Sequence, residues 1–217
     1  MLEGQECFRE TNAEKTTALL EHVRLRAEQK GMAVNEKKTG LMCVSASRSY
    51  KAKVSIEFNG QRVRGESTLK MLGVTLDQDC TFKTHVGNIA RRLRQRTWAL
   101  SKLRRKGMQQ EDLIQAYVSV IRPVAEYASP AWHPLLTIEQ SEKIERQQTQ
   151  ALKNIFGLGM SANKMRTKAG LDRLWVRREG AVKNFAQKNQ NNKRCAEWFA
   201  MRPVSYTHLT LPTTPYV

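Results

Sequence analysis

A chain of 217 residues with 40% apolar content is long enough to bury one core or two small ones, which excludes a disordered tail. Lys and Arg number 37 against 20 Asp and Glu, a net charge of +17 that calls for a polyanionic partner and argues against an ordinary cytosolic enzyme. No run approaches the roughly 20 consecutive apolar residues of a membrane span, and the start MLEGQECFRE lacks the basic and apolar regions of a signal peptide. The expectation is an intracellular protein, nuclear or cytoplasmic, neither secreted nor partnered with a membrane.

The cysteines (Cys7, Cys43, Cys80, Cys195) and histidines (His22, His85, His133, His208) are scattered and do not fall at zinc-ligand spacing, so no metal site is expected and the thiols read as reduced. Charge is uneven along the chain. Residues 1–80 carry 13 basic and 11 acidic side chains, 81–160 carry 13 and 6, and 161–217 carry 11 and 3.

From the N-terminus, Asn12 reads as an N-cap opening an amphipathic helix over 13–30, with Leu19, Leu20, Val23 and Ala27 at helical spacing and Gly31 closing it. Short strands are predicted at 40–46, 54–58, 61–64 and 68–77, with Asn59-Gly60 as a two-residue hairpin turn. From Phe82 the period becomes helical: Val86, Ile89, Leu93, Thr97 and Leu100 form one stripe, and the helix runs about six turns to Gly107. A second helix starts at Glu111 with Leu113, Tyr117, Val120, Ile121 and Val124 inward, and Pro123 is expected to kink or end it. Thr137-x-x-Gln140 is a capping-box pattern opening a third, with Ile144, Ala151, Leu152 and Ile155 inward and Gly157 at its end. Residues 171–189 repeat the helical pattern through Leu171, Leu174, Trp175, Val182 and Phe185, weakened by Gly180. Residues 189–193 read as a loop. The fold class is α+β: an N-terminal helix and a small antiparallel sheet, followed by a mainly α-helical bundle.

The segment 204–217 is uncharged and follows the basic chain abruptly. It can be back-translated into the mosaic end and read-through of a transposase-type sequencing adaptor, so it reads as an adaptor-derived tail with no part in the fold.

Between Lys83 and Lys106 stand nine cations (Lys83, Arg91, Arg92, Arg94, Arg96, Lys102, Arg104, Arg105, Lys106) and no acid. Charge runs are commonly solvated faces, but a face without a counter-charge in a chain of this net charge points to nucleic acid, through phosphates that position without specifying sequence. An anionic lipid surface fits less well, because the apolar residues are mostly aliphatic and are needed by the core.

Five ordered strings resemble the region downstream of the catalytic YxDD in non-LTR (LINE-type, jockey-like) retrotransposon reverse transcriptases. GMAVNEKKTGLMCVS (31–45) is similar to motif D. KMLGVTLDQDCTFKTHV (70–86) is similar to the primer-grip region, with Met71 where the family often has an aromatic residue. AYVSVIRPVAEYASPAWHP (116–134) and ERQQTQALKNIFGL (145–158) are similar to the thumb. AGLDRLWVRREGAVKNFAQK (169–188) is similar to the segment that follows it.

The resemblance implies a partial palm over 1–80, a thumb-like region over 81–160 and a basic helical extension over 161–203. It implies Lys38 as the motif D general acid of an intact enzyme, Leu72 and Gly73 as primer-grip-like backbone, and RNA, DNA or an RNA–DNA hybrid as partner. The remaining fingers and palm of the polymerase would be a further partner. No Asp-Asp pair occurs, so the carboxylates that hold magnesium in the parent enzyme are missing and no cofactor is expected for this fragment.

Asn35 and Thr39 read as a turn and a strand-starting hydroxyl around Lys38. Gly73 marks either a close approach to a primer or a bulge in a strand. Tyr127, Trp132 and Trp175 are expected in the core more than as stacking platforms. Glu126 and His133, in a Pro-punctuated turn with no nucleophile, do not read as an acid–base pair. Two other readings stay open: an autonomous basic helical nucleic-acid-binding module, and a mis-assembled reading frame.

Overall fold

The computed structural model describes residues 2–44, 54–190 and 192, with the side chains of 2–12 and 36 excepted. The tail at 204–217, the end of the extension at 193–203, the last residues of the 40–46 segment and the thiols of Cys7 and Cys195 lie outside the described residues.

Helix α1 spans Leu2–Glu28. It begins well before Asn12, which lies within it instead of at its start, because no proline interrupts 2–12 and Leu, Glu and Gln there favour helix. Its end is a Schellman motif: Met32 N–H donates to the Ala27 carbonyl and Gly31 N–H to that of Glu28, both at 2.9 Å, with Gly31 at φ +69°. Leu20 and Ala27 are half-buried while Leu19 and Val23 stay exposed, so only part of the expected apolar face is covered.

Strands β1 (Ser55–Phe58) and β2 (Gln61–Arg64) form an antiparallel hairpin, register Ile56 to Val63. Its turn is Asn59-Gly60, both at positive φ as a type I′ turn requires. β1 packs against α1 and buries Ile56 and Phe58. Over 41–44 there is no strand, only an isolated parallel bridge from Leu41 to Gly65.

The predicted single strand over 68–77 is a second hairpin, β3 (Thr68–Met71) and β4 (Val74–Asp77), paired Met71 to Val74. Leu72-Gly73 is its turn, with φ +48° and +86°. Gly73 is therefore a turn glycine and not a bulge. In place of one sheet, the described residues form two two-stranded sheets.

Helix α2 (Lys83–Arg105) buries the expected stripe together with His85 and Ala90. Asp77 shapes its approach by accepting from the Thr81 N–H (2.8 Å) and hydroxyl (3.1 Å). α3 (Gln110–Ala116), a π-helical turn (Tyr117–Ile121) and α4 (Arg122–Glu126) are continuous. Leu113, Tyr117, Ile121 and Ala125 are buried in successive steps of four. At 3.6 residues per turn such a row drifts by about 40° per step, and the wider π turn resets it. The chain thus absorbs Pro123 without ending the helix, and Val120, expected inward, is turned to solvent.

α5 (Ser129–Trp132) and a 3₁₀ turn (His133–Leu135) lead to α6 (Ile138–Phe156), which has the full capping box between Thr137 and Gln140. α7 (Ala162–Ala169) was not expected, although Ser161 caps its start and Gly170 its end. α8 (Leu174–Asn189) begins three residues later than the pattern at Leu171 suggests. Trp175 and Phe185 are exposed and Arg178 is buried in their stead.

The core joins Val74 and Phe82 to α2, α3, the π turn, α5 and α6, and closes on Met165 and Leu174. The β3–β4 hairpin thereby belongs to the packing of the helical bundle. Among the described residues no helix is long and apolar enough to cross a membrane.

Candidate nucleic-acid interface

All nine cations of 83–106 are exposed, and among the described residues none forms an ion pair with a carboxylate. The structure divides them. Arg92 and Arg96, one turn apart, line a groove of about 550 Å³ with His85, Gln95, Pro123 and Tyr127, and Gly73 of the hairpin tip forms its far wall. Arg91, Arg94, Lys102 and Arg105 lie around the helix on the side away from the core. Arg104 is engaged elsewhere: its Nη1 donates to the Asn154 carbonyl at 2.7 Å, at the C-terminal end of α6, where a cation also meets the helix dipole.

The groove is held by three contacts. Tyr127 Oη donates to the Leu72 carbonyl at 2.9 Å, and the Tyr127 ring lies 3.1 Å from where a Gly73 Cβ would stand. Arg96 donates to the Val120 carbonyl in the π turn. His85 Nδ1 accepts the Thr75 N–H at 3.2 Å, pinning β4 to α2.

That last bond assigns the neutral His85 tautomer, with its proton on Nε2. Nε2 is buried without a partner, so this donor is turned into the protein and away from a ligand in the groove. Burial, and then the Arg92 cation, hold His85 below the ordinary histidine value and favour the neutral ring.

Leu72 at the tip is doubly unfavourable. A leucine at φ +48° costs about 1–2 kcal/mol against an extended or right-handed conformation, and its side chain is 86% exposed.

Lys38 ends a 3₁₀ turn (Glu36–Lys38) and is exposed. Asn35 starts the turn, its carbonyl accepting from Lys38 N–H (3.1 Å) and from the Thr39 hydroxyl (3.0 Å). Of the three aromatic residues expected in the core, Trp132 is fully buried, whereas Tyr127 and Trp175 are exposed. Tyr127 leaves the helical face because Ala128 at φ +50° breaks the helix there. Glu126 accepts from Arg177 Nε (2.5 Å) and Nη2 (3.2 Å), a bidentate pair tying α8 to α4. His133 Nδ1 accepts from Arg178 Nε at 3.3 Å.

Sequence reading missed His85 as a site residue, and the signal was present: a histidine directly before Val86, at the edge of the apolar stripe. It also missed Tyr127 as the post behind Leu72-Gly73, which no local pattern announces.

Compared with protein-family models, with curated proteins and with solved structures, the chain gives no match. Among the described residues no three His, Cys, Asp or Glu side chains lie together as metal ligands.

Proposed function

We propose that this chain is the template–primer-gripping part of a reverse transcriptase of non-LTR retrotransposon type, acting as an intracellular nucleic-acid-binding fragment without polymerase activity of its own. The observation that carries the reading is one groove lined by Gly73 of the strained hairpin tip together with Arg92 and Arg96. A backbone of phosphates laid in the groove would meet the two guanidinium groups on the helical wall. The exposed Leu72, next to the groove residue Gly73, would meet the sugar or base of a strand terminus.

Such contacts are blind to sequence, since phosphates carry no base information. Two of the five strings that resemble the reverse transcriptases supply lining residues of this groove: 70–86 gives Gly73 and His85, and 116–134 gives Pro123, Val124 and Tyr127. A general basic module would also use Arg92 and Arg96, but it has no reason to keep a strained, exposed leucine at the adjoining hairpin tip.

The test is binding of an RNA–DNA hybrid with a recessed 3′ end against a blunt hybrid of the same length. The expected result is tighter binding of the recessed end, a preference that Leu72→Asp removes. Equal affinity for the two ends in the unmodified chain would leave only the basic module.

A further inference from the structure

We infer that the outer face of α2 is a second binding track, for single-stranded nucleic acid, with Trp98 as its stacking platform. The inference rests on the nucleic-acid reading of the basic helix but not on the groove. Trp98 is 58% exposed although it stands in the middle of a helix whose inner stripe is fully packed. At 100° per residue, Arg91, Arg94, Trp98, Lys102 and Arg105 fall on one stripe, about 140° around the axis from Arg92 and Arg96 and opposite the core. The stripe is about 21 Å long at 1.5 Å per residue.

Lys102 Nζ lies 3.7 Å from the centroid of the Trp98 ring, so one face of the indole is held by a cation. An exposed aromatic ring with cations a turn before and a turn after it has the composition of a single-strand site, where a base stacks and flanking cations follow the backbone. A duplex does not use an indole in this way, because its bases are already stacked on one another. The two faces of α2 thus suit different ligands: paired strands against the hairpin tip, and an unpaired strand outside.

The experiment uses the full chain and two labelled probes, a uridine-rich single-stranded RNA of 20 nucleotides and the RNA–DNA hybrid, with binding read by anisotropy. Trp98→Ala is expected to weaken the single strand at least about fivefold and to leave the hybrid within twofold, while Trp98→Phe keeps most of the single-strand affinity. Trp98 lies outside the core, so the variant folds, as circular dichroism checks.

Unchanged single-strand binding by Trp98→Ala, or an equal loss on both probes, overturns the inference. Competition by polyglutamate as effective as that by unlabelled RNA overturns it also, and assigns the stripe to an acidic protein partner. Single-strand binding that depends on Trp98 with no binding of hybrid would sink the groove reading and keep this one.

Discussion

The Tyr127 hydroxyl donates to the Leu72 carbonyl across 2.9 Å, so the residue at the end of α4 holds the tip of a hairpin that lies well before it in the chain. The tip is fixed against the helical bundle in a conformation that leucine disfavours.

Leu72→Asn places at the first turn position a residue that tolerates φ > 0, and Asn-Gly is the preferred pair for this turn. The variant is expected to be more stable by about 1 kcal/mol, a rise of about 2–4 °C in a chain of this size. It is expected to bind hybrid less well, because the apolar contact is gone. Thermal unfolding and anisotropy on the same preparations check both. Greater stability with undiminished affinity would mean that the leucine does not touch the ligand.

Arg178 is fully buried. It donates to His133 Nδ1 and Ser141 Oγ, and its Nη1 has no partner. Burial pushes it down to about 10, with Glu145 and Glu126 opposing. A desolvated cation without a carboxylate in contact is weak support for a fold. Arg178→Met, which fills the space under Trp132, is expected to match or exceed the parent in denaturant unfolding. Arg178→Ala is expected to lose about 2–4 kcal/mol to the cavity it leaves. Equal losses in both would show that the guanidinium hydrogen bonds hold this corner.

Burial, and then the Arg178 cation, push His133 down from 6.5 to about 4. The unfolded chain therefore binds more protons than the folded one between these values, and stability rises with pH there. This contribution is complete above about pH 6.5 and is lost as pH falls towards 4. His85 is displaced in the same direction, and Glu145, raised by burial, works in the opposite sense. His133→Gln keeps an acceptor for Arg178 and is expected to flatten the melting temperature between pH 6.5 and 5. A profile identical to the parent's in that window would remove His133 from the account.

Much of this was legible in residues that act locally. The apolar stripe of α2, the Thr137–Gln140 capping box and the Asn59-Gly60 turn each follow from a pattern within one or two turns of chain, and each stands as read. The π turn was not legible: the apolar pattern put Val120 inward as an unbroken α-helix would, and the buried row Leu113, Tyr117, Ile121 and Ala125 emerges only in the packing.

The second hairpin was not legible, because Leu-Gly is a poor turn pair and TLKMLGVTLD alternates well enough for one long strand. Nor was the division of the arginines. Helical spacing puts Arg92 and Arg96 together, but only the packing of the hairpin and α4 shows that this pair faces a groove. Arg178 defeated the pattern in the other direction, since a cation at a buried position is invisible to a search for apolar periodicity.

The chain has no Asp-Asp pair, and the purified protein is expected to add no labelled nucleotide to a primed template with magnesium or manganese. Lys38→Ala is expected to keep hybrid affinity within about tenfold, as one phosphate contact among many. Incorporation above a no-protein control, or a larger loss of affinity, would contradict the roles assigned.

The central claim is that the Arg92–Arg96 wall is where paired strands lie. It is tested most directly by the slope of log affinity against log salt on an RNA–DNA hybrid, compared between Arg92→Gln/Arg96→Gln and Arg91→Gln/Arg94→Gln. At about 0.9 per phosphate contact, the first pair is expected to flatten the slope by up to about 1.8 and the second to leave it nearly unchanged. An unaltered slope in the Arg92/Arg96 double variant, with helix content intact, would contradict the account.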